Sequence, residues 1–438
     1  MNQKCLLIAD DLTGGADAGA QFAKRGLTTL LVSLREETGI NIHKYISKDV
    51  LVINTDSRGL ARDKASRLVS SLCKEFDRSL FPIIYKKIDS TLRGNVGIEI
   101  DAILKETGIP TCFLTPAYPE QNRTLVNGIL RVEGKPLAST EAASDAASPV
   151  QESDVQKLLQ DQSQNKIGRI GLPLVTCGLE RLKEKVSEER NKGSKIIIFD
   201  AVTRQDLRNV ADAGFALGNQ PFFAGSAGLA EEVARRLFPR ERTTKTQRTT
   251  KPLTHVFIII GSVSSVTREQ LEWLQRRDML SFELRKSFLT KEGLDFEAAK
   301  GELIGSISHA LAKGHVILAT CSERLVSEDP GTFPIHLKIV KIIGGIVLSV
   351  LKESNASIQH LALIVTGGDT AMSVFNTLKM EGIEIEGELL KGIVRGQLTG
   401  GDWDGLTVVT KAGAFGKEDA LEKIVRTLEK GTLSTEKE

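Results

Sequence analysis

Residues 5–19 read CLLIADDLTGGADAG, and the rest of the chain is best read outward from them. A five-residue apolar run with the look of a buried strand ends on two adjacent carboxylates, Asp10 and Asp11. Thr13, Gly14 and Gly15 follow as a turn, and helical spacing then begins. One Asp at a strand end is explained as a turn residue or a helix N-cap; a pair is not. In an open parallel sheet, ligands bind in the crevice at the carboxyl ends of the strands. The pair is therefore read as part of a site.

The same grammar repeats. Apolar runs at 28–34, 50–55, 82–88, 111–115, 195–201 and 221–225 alternate with helical patterns such as Leu60–Phe76 and Val96–Thr107. That alternation predicts βαβ units and a mainly parallel sheet. It stops at PRERTTKTQRTTK (239–251), a polar, Thr-rich stretch with no apolar anchor, read as a linker. A second α/β series follows, with strands expected at 255–261, 315–320, 361–367 and 406–413. The fold class is α/β with two domains, 1–240 and 252–432, each a mainly parallel sheet flanked by helices. STEAASDAASPVQES (139–153) reads as an excursion within the first domain, and GTLSTEKE as a frayed tail.

Bulk properties narrow the function. With 438 residues the chain exceeds one ordinary core. A net charge of +2 and 5% aromatics give no basis for a nucleic-acid or membrane partner. No apolar run approaches the roughly 20 residues of a membrane span, and the N-terminus lacks a signal-peptide layout, so a cytoplasmic location is expected. Five scattered cysteines without a C-x-x-C pair are read as buried free thiols. The six histidines show no ligand spacing, and no metal-ligand set is assigned.

The densest polar cluster is YKKIDSTLRGNVG (85–97), with Lys86, Lys87, Asp89, Ser90, Thr91, Arg93 and Asn95 at one strand end. A turn and a helix cap explain Asp89, Ser90 and Gly94 but not the cations. Arg grips a carboxylate with a planar fork and Lys supplies a point charge. INTDSRGL (53–60) repeats the theme with Asp56, Ser57 and Arg58; TPAYPEQNRTLVNG (115–128) adds Arg123 on what reads as a proline-held extended loop. Such strand ends converge on a crevice that offers carboxylates to hydroxyls and cations to an acid group. AGSAGLA (224–230) reads equally as a phosphate turn or as close packing. In the second domain, GSVSSVT (261–267), TGGDTAMSV (366–374) and KAGAFGKEDAL (411–421) each place glycine with hydroxyl residues at a strand-to-helix turn. There, backbone amides cradle phosphates. Neither G-x-x-x-x-G-K-[ST] nor an opening G-x-G-x-x-G is present.

In that order, IADDLTGGADAG, DSRGL, KKIDSTLRGN, PAYPEQNRT, GSAGLA, GSVS, TGGDT and GAFG resemble the four-carbon acid sugar kinase family over nearly the whole chain. The resemblance implies an N-terminal acid-sugar-binding domain and a C-terminal nucleotide-binding domain. It implies ATP and Mg²⁺, a small-molecule acid sugar such as D-threonate or D-erythronate, and phosphorylation of its terminal hydroxyl. DAGAQFAKRG is more similar to that branch than to the 3-oxo-tetronate branch, which stands as the alternative. By carry-over, Asp10, Ser57, Arg58, Lys87, Ser90, Arg93 and Arg123 hold the sugar, and Asp11, with Asp89 second, serves the accepting hydroxyl. Gly261, Ser262, Ser264, Gly367, Gly368, Asp369, Thr370 and Gly413 hold ATP. Asn122 stands where family members often carry glycine, which bears on the loop's geometry. A homodimer is left open. From other classes, a non-catalytic acid-sugar and nucleotide sensor and an ATP-independent lyase or hydrolase remain as rivals.

Overall fold

The computed structural model describes residues 4–34, 40–144, 148–218, 220–238, 251–261, 264–277, 279–285, 288, 293–320, 335–354 and 356–431. Ser262, Cys321, most of the 239–251 stretch and the last seven residues lie outside them. The chain divides into two compact units, Met1–Arg242 and Thr243–Glu438.

In the first unit, β1 (Cys5–Ala9), β2 (Thr29–Ser33), β3 (Val50–Asn54), β4 (Ile83–Lys87), β5 (Cys112–Thr115), β9 (Ile167–Ile170), β10 (Ile196–Phe199) and β11 (Phe222–Gly225) line up as β2-β3-β1-β4-β11-β5-β10-β9. Every pairing is parallel. All five residues of β1 are fully enclosed, which is why the run is unbroken rather than alternating. Leu6, Leu7 and Ile8 each contribute about 1.5–3 kcal/mol through that burial. From β1 the chain moves to one side, through α1 (Leu12–Ala23) to β2. From β4 it moves to the other, through the helix Val96–Thr107 to β5. The sheet therefore reverses direction between β1 and β4, and that switch point is where α/β sheets open a crevice. Register aligns Ala9 with Asn54 and with Lys87, so Asp10, Thr55 and Ile88 come off the edge together.

In the second unit, β12 (His255–Ile260), β13 (Leu280–Leu284), β14 (Val316–Thr320), β15 (Leu361–Thr366), β16 (Gly382–Leu390), β17 (Ile393–Thr399) and β18 (Thr407–Lys411) run β13-β14-β12-β15-β18-β17-β16. The first five are parallel, and β17 pairs antiparallel with both β18 and β16. The connections after β12 and β15 leave in opposite directions, giving a second switch point.

Several expectations change. The Thr13–Gly15 stretch is not a turn: α1 starts at Leu12, because Asp11 caps it by accepting from the Gly14 amide. A Cβ on Gly15 would stand 3.1 Å from the Ala9 Cβ, so glycine there lets α1 lie close on the sheet. The extended loop expected after Pro116 is a hairpin instead, with β6 (Arg123–Val126) and β7 (Ile129–Val132) antiparallel, and β8 (Lys135–Pro136) completes a small three-stranded sheet. Strands β9, β13, β16 and β17 were not anticipated. Cys177 is exposed, while Cys5, Cys73 and Cys112 are buried thiols. The 139–153 stretch includes the 3₁₀ turn Glu141–Ser144, and 145–147 lie outside the described residues.

Candidate functional site

At the first switch point the predicted residues meet as one charged network. Arg58 donates through Nε and Nη2 to both oxygens of Asp10 (2.9 and 3.0 Å) and through Nη2 to Asp11 Oδ1 (2.5 Å). The other Asp11 oxygen accepts from Thr13 Oγ1 (2.7 Å) and the Gly14 amide (3.2 Å). Asp10 is 3% exposed and fastens the DSRG turn to β1. Asp89 Oδ2 accepts from Arg93 Nε (2.6 Å) and Thr91 Oγ1 (2.5 Å). Lys87 Nζ donates to the Ile88 carbonyl at 2.8 Å and stands where a Cβ on Gly14 would come within 3.0 Å of it. Ser90 is buried beside Asp89. Arg123, on the hairpin, is in electrostatic reach of Asp89 and Arg93. Asn122 takes φ +55°, which asparagine tolerates nearly as glycine does, so its replacement of glycine leaves this backbone conformation available.

Burial pushes the Asp11 carboxyl up, but Arg58 and Lys87 outweigh it and leave it below the usual carboxylate range. For Asp89, Arg93 and Arg58 overcome burial more strongly, and its carboxyl lies well below that range. Both remain ionised at neutral pH. A carboxylate has about four lone-pair sites, so each can still accept from a substrate hydroxyl. Arg93, its side chain 33% exposed, is more open to solvent than Arg58 at 20%.

Ser57 is placed differently from expectation. It is fully enclosed, donating to Glu99 Oε1 at 2.7 Å, and is not open to a ligand. Glu99 also pairs with Lys86 at 2.7 Å, both side chains 1% exposed, and burial raises its carboxyl despite that lysine. Asn95 Nδ2 donates to the Ser57 and Leu60 carbonyls (3.0 and 2.9 Å). Glu99 and Asn95 thus hold the turn that carries Arg58. Sequence reasoning missed Glu99 because a carboxylate in a helical pattern normally faces water. Gly94 at φ +91° sits tight against Arg58, its missing Cβ 3.1 Å from Arg58 Cγ, a conformation and a gap that suit glycine. GSAGLA resolves as packing: Ser226 Oγ donates to the Ala117 carbonyl at 2.7 Å, and a Cβ on Gly228 would stand 2.9 Å from the Tyr118 ring. A cavity of about 540 Å³ is lined by Arg58 with Arg62, Asn95, Lys157 and Gln162 among others, and by none of Asp11, Lys87, Asp89 or Arg93. The chemistry, not the cavity, marks the site.

In the second unit the three turns gather at the carboxyl edge. Ser264 caps the helix Ser265–Leu274, and its Oγ donates to the Gly413 carbonyl at 2.7 Å. Gly367 at φ +93° opens the helix Gly368–Thr377, whose first turn carries exposed Asp369 and buried Thr370. Gly261 meets Thr370 so closely that a Cβ there would lie 1.9 Å from its Oγ1. Gln270, fully buried, donates to the Phe415, Gly416 and Lys417 carbonyls (2.9–3.1 Å). Gln270 and Lys411 were both missed: each is a polar residue buried beneath a turn, which no motif marks. Among the described residues, no group of three or more His, Cys, Asp or Glu could hold a metal ion.

An acid-and-cation crevice in one unit and glycine–hydroxyl turns in the other are the equipment of a two-domain protein that handles a small polar molecule and a nucleotide. Residues 5–233 match the family model of a sugar-binding N-terminal domain, and residues 257–421 that of a nucleotide-binding C-terminal domain. The chain is 30% identical to a D-threonate kinase of Salmonella typhimurium, over 95% of this chain and 96% of the relative. It is 27% identical to a D-erythronate kinase of Heliobacterium modesticaldum (95% and 94% covered) and 24% identical to a 3-oxo-tetronate kinase of Pseudomonas savastanoi (96% of each). Crystal structures of proteins from Haemophilus influenzae and Salmonella typhimurium share the fold. Their TM-scores are 0.73 and 0.77 at 23% and 19% identity, over 97% and 95% of this chain and 100% and 97% of theirs. The chain belongs to the four-carbon acid sugar kinase family and is a carbohydrate kinase. No described helix is long and apolar enough to cross a membrane.

Proposed function

We propose that the protein transfers the γ-phosphoryl group of ATP to the terminal (4-) hydroxyl of D-threonate or D-erythronate in the cytoplasm. The observation that carries this reading is the network of Asp10, Asp11, Arg58, Lys87, Asp89 and Arg93 at the first switch point. It offers cations to a sugar carboxylate and ionised acceptors to its hydroxyls. Ser90 and Arg123 border it, and Ser57 acts from behind by holding the turn of Arg58. The division into residues 1–240 for the sugar and 252–432 for the nucleotide belongs to the same reading.

The sugar's C4 oxygen forms a bond to the γ-phosphorus, the bond from that phosphorus to the ADP oxygen breaks, and the hydroxyl proton leaves to a carboxylate or to water. Asp11 orients that hydroxyl, with Asp89 as second choice. Their lowered pKa values make them weak proton acceptors but steady hydrogen-bond acceptors. That is sufficient where positioning and charge carry most of the catalysis. Gly261, Ser262, Ser264, Gly367, Gly368, Thr370 and Gly413 receive the nucleotide. A Mg²⁺ carried on phosphates needs only one or two carboxylates, and exposed Asp369, in the first turn of its helix, fits that need. When bound, the ion neutralises phosphate charge.

An ADP-release assay with D-threonate, D-erythronate and 3-oxo-tetronate, with phosphorus NMR of the product, tests the proposal. Turnover of either of the first two with phosphate on C4 supports it. Turnover of 3-oxo-tetronate alone moves the protein to the other branch.

A further inference from the structure

The mechanism above leaves the ammonium of Lys411 without a task. Lys411 ends β18 with no exposed surface, and among the described residues it makes no ion pair. Its Nζ donates to the Ala412 and Gly413 carbonyls (3.1 and 3.2 Å) and to Thr267 Oγ1 (3.3 Å). The Gly413 carbonyl also lies within reach of Ser264 Oγ (2.7 Å) and Thr267 Oγ1 (2.8 Å). Each hydroxyl has one proton, and Ser264 Oγ also reaches Thr267 Oγ1 at 3.0 Å. The hydroxyls therefore cannot satisfy every acceptor at once, whereas an ammonium brings three donors.

Burying a cation without a carboxylate is unfavourable, and burial pushes the Lys411 amine down to about 7. An apolar side chain would fill the space without that cost. What the ammonium fixes is the orientation of a peptide. In a trans peptide the C=O and N–H point in opposite directions. Holding the Gly413 carbonyl against the helix Ser265–Leu274 therefore directs the Ala414 amide away from that helix, and Ala414 is an exposed residue. Gln270, on the same helix, holds the Phe415, Gly416 and Lys417 carbonyls. The GAFG turn is thus fastened through its carbonyls.

We propose that Lys411 is a positioning residue of the nucleotide site, locking the Gly413 turn onto the helix that opens at Ser264 so that the turn's amides are preset for a nucleotide phosphate. The inference rests on the reading of the second unit as the nucleotide site.

Full-length Lys411→Met and Thr267→Val test it, by calorimetric titration with ADP and by steady-state kinetics with each substrate varied. Lys411→Met is expected to raise the Kd for ADP and the KM for ATP about tenfold, with the acid-sugar KM changed less than about twofold and Lys411→Arg recovering part of the loss. Thr267→Val, which removes a second donor to the same carbonyl, weakens ADP in the same direction, and the double variant loses less than the sum of the two. Unchanged ADP affinity in both single variants, or equal rises in both KM values, overturns the proposal. If Lys411→Met does not fold, unchanged ADP affinity in Thr267→Val overturns it alone. Gly368→Val separates the two levels. Normal ADP binding there removes the nucleotide-site reading itself; loss there with normal binding in Lys411→Met removes only the role of Lys411.

Discussion

Asp11 accepts from an arginine, a threonine and a backbone amide while capping α1. Asn at this position keeps an acceptor for the cap, and Arg58 keeps Asp10, so Asp11→Asn folds. Its kcat is expected to fall about 10²-fold, the low end for lost acid–base help, because a carboxyl held low is a poor base. Near-wild-type kcat in Asp11→Asn with a dead Asp89→Asn exchanges their roles. The pH response follows from the same charges. A carboxylate held low in the fold contributes stability above its unfolded pKa, and that contribution is lost as pH falls through the folded value. Asp11 and Asp89 therefore add no acid limb to kcat/KM above about pH 5. Lys411 gives a slope of the same sign at higher pH. Its folded pKa of about 7 lies below the unfolded value, so the unfolded chain binds the extra proton between about pH 7 and 10, and stability rises with pH there. Thermal melts across that range should show the slope in the wild type and its loss in Lys411→Met; a slope that survives the substitution contradicts the assignment.

The candidate site residues of both units stand mostly on turns rather than strands, and those turns depend on close approach. Gly261→Ala would drive a methyl into Thr370. The expected cost is about 1–3 kcal/mol of overpacking, read as a lower Tm with weaker ADP binding. An unchanged Tm and Kd would mean the turns are looser than described. At this scale, legibility was uneven. Strands covered on both faces, such as β1, β12 and β15, announced themselves as unbroken apolar runs. The hairpin β16–β17 carried a signal that went unread: GIEIEGELL alternates apolar and charged residues, a half-covered strand, and Gly392 at φ +73° makes its turn. Bulges between Ile385 and Gly387 and between Glu388 and Leu390 blur that period. Pro116 and Pro119, ahead of the hairpin β6–β7, drew the reading to an extended loop, and the turn signal Asn127-Gly128 went unread. For the site, charges at strand ends were legible, since parallel register brings them to one edge. The partners beneath them, Glu99, Gln270 and Lys411, were not, because nothing in a linear pattern tells a buried polar residue from a solvated one.

Each unit has its own switch point, and each switch point holds a different chemistry: paired charges in the first, glycine–hydroxyl turns in the second. The account therefore predicts separable effects on the two substrates. Steady-state kinetics on full-length Arg93→Lys and Gly368→Val, with acid sugar and ATP each varied, tests this most directly. Arg93→Lys keeps the charge but loses the planar fork. Its acid-sugar KM should rise by about 1.5–3 kcal/mol, roughly 10- to 150-fold, with the ATP KM nearly unchanged; Gly368→Val should show the reverse. An Arg93→Lys enzyme whose loss is confined to ATP, or a Gly368→Val enzyme with a normal KM for ATP, would contradict the account.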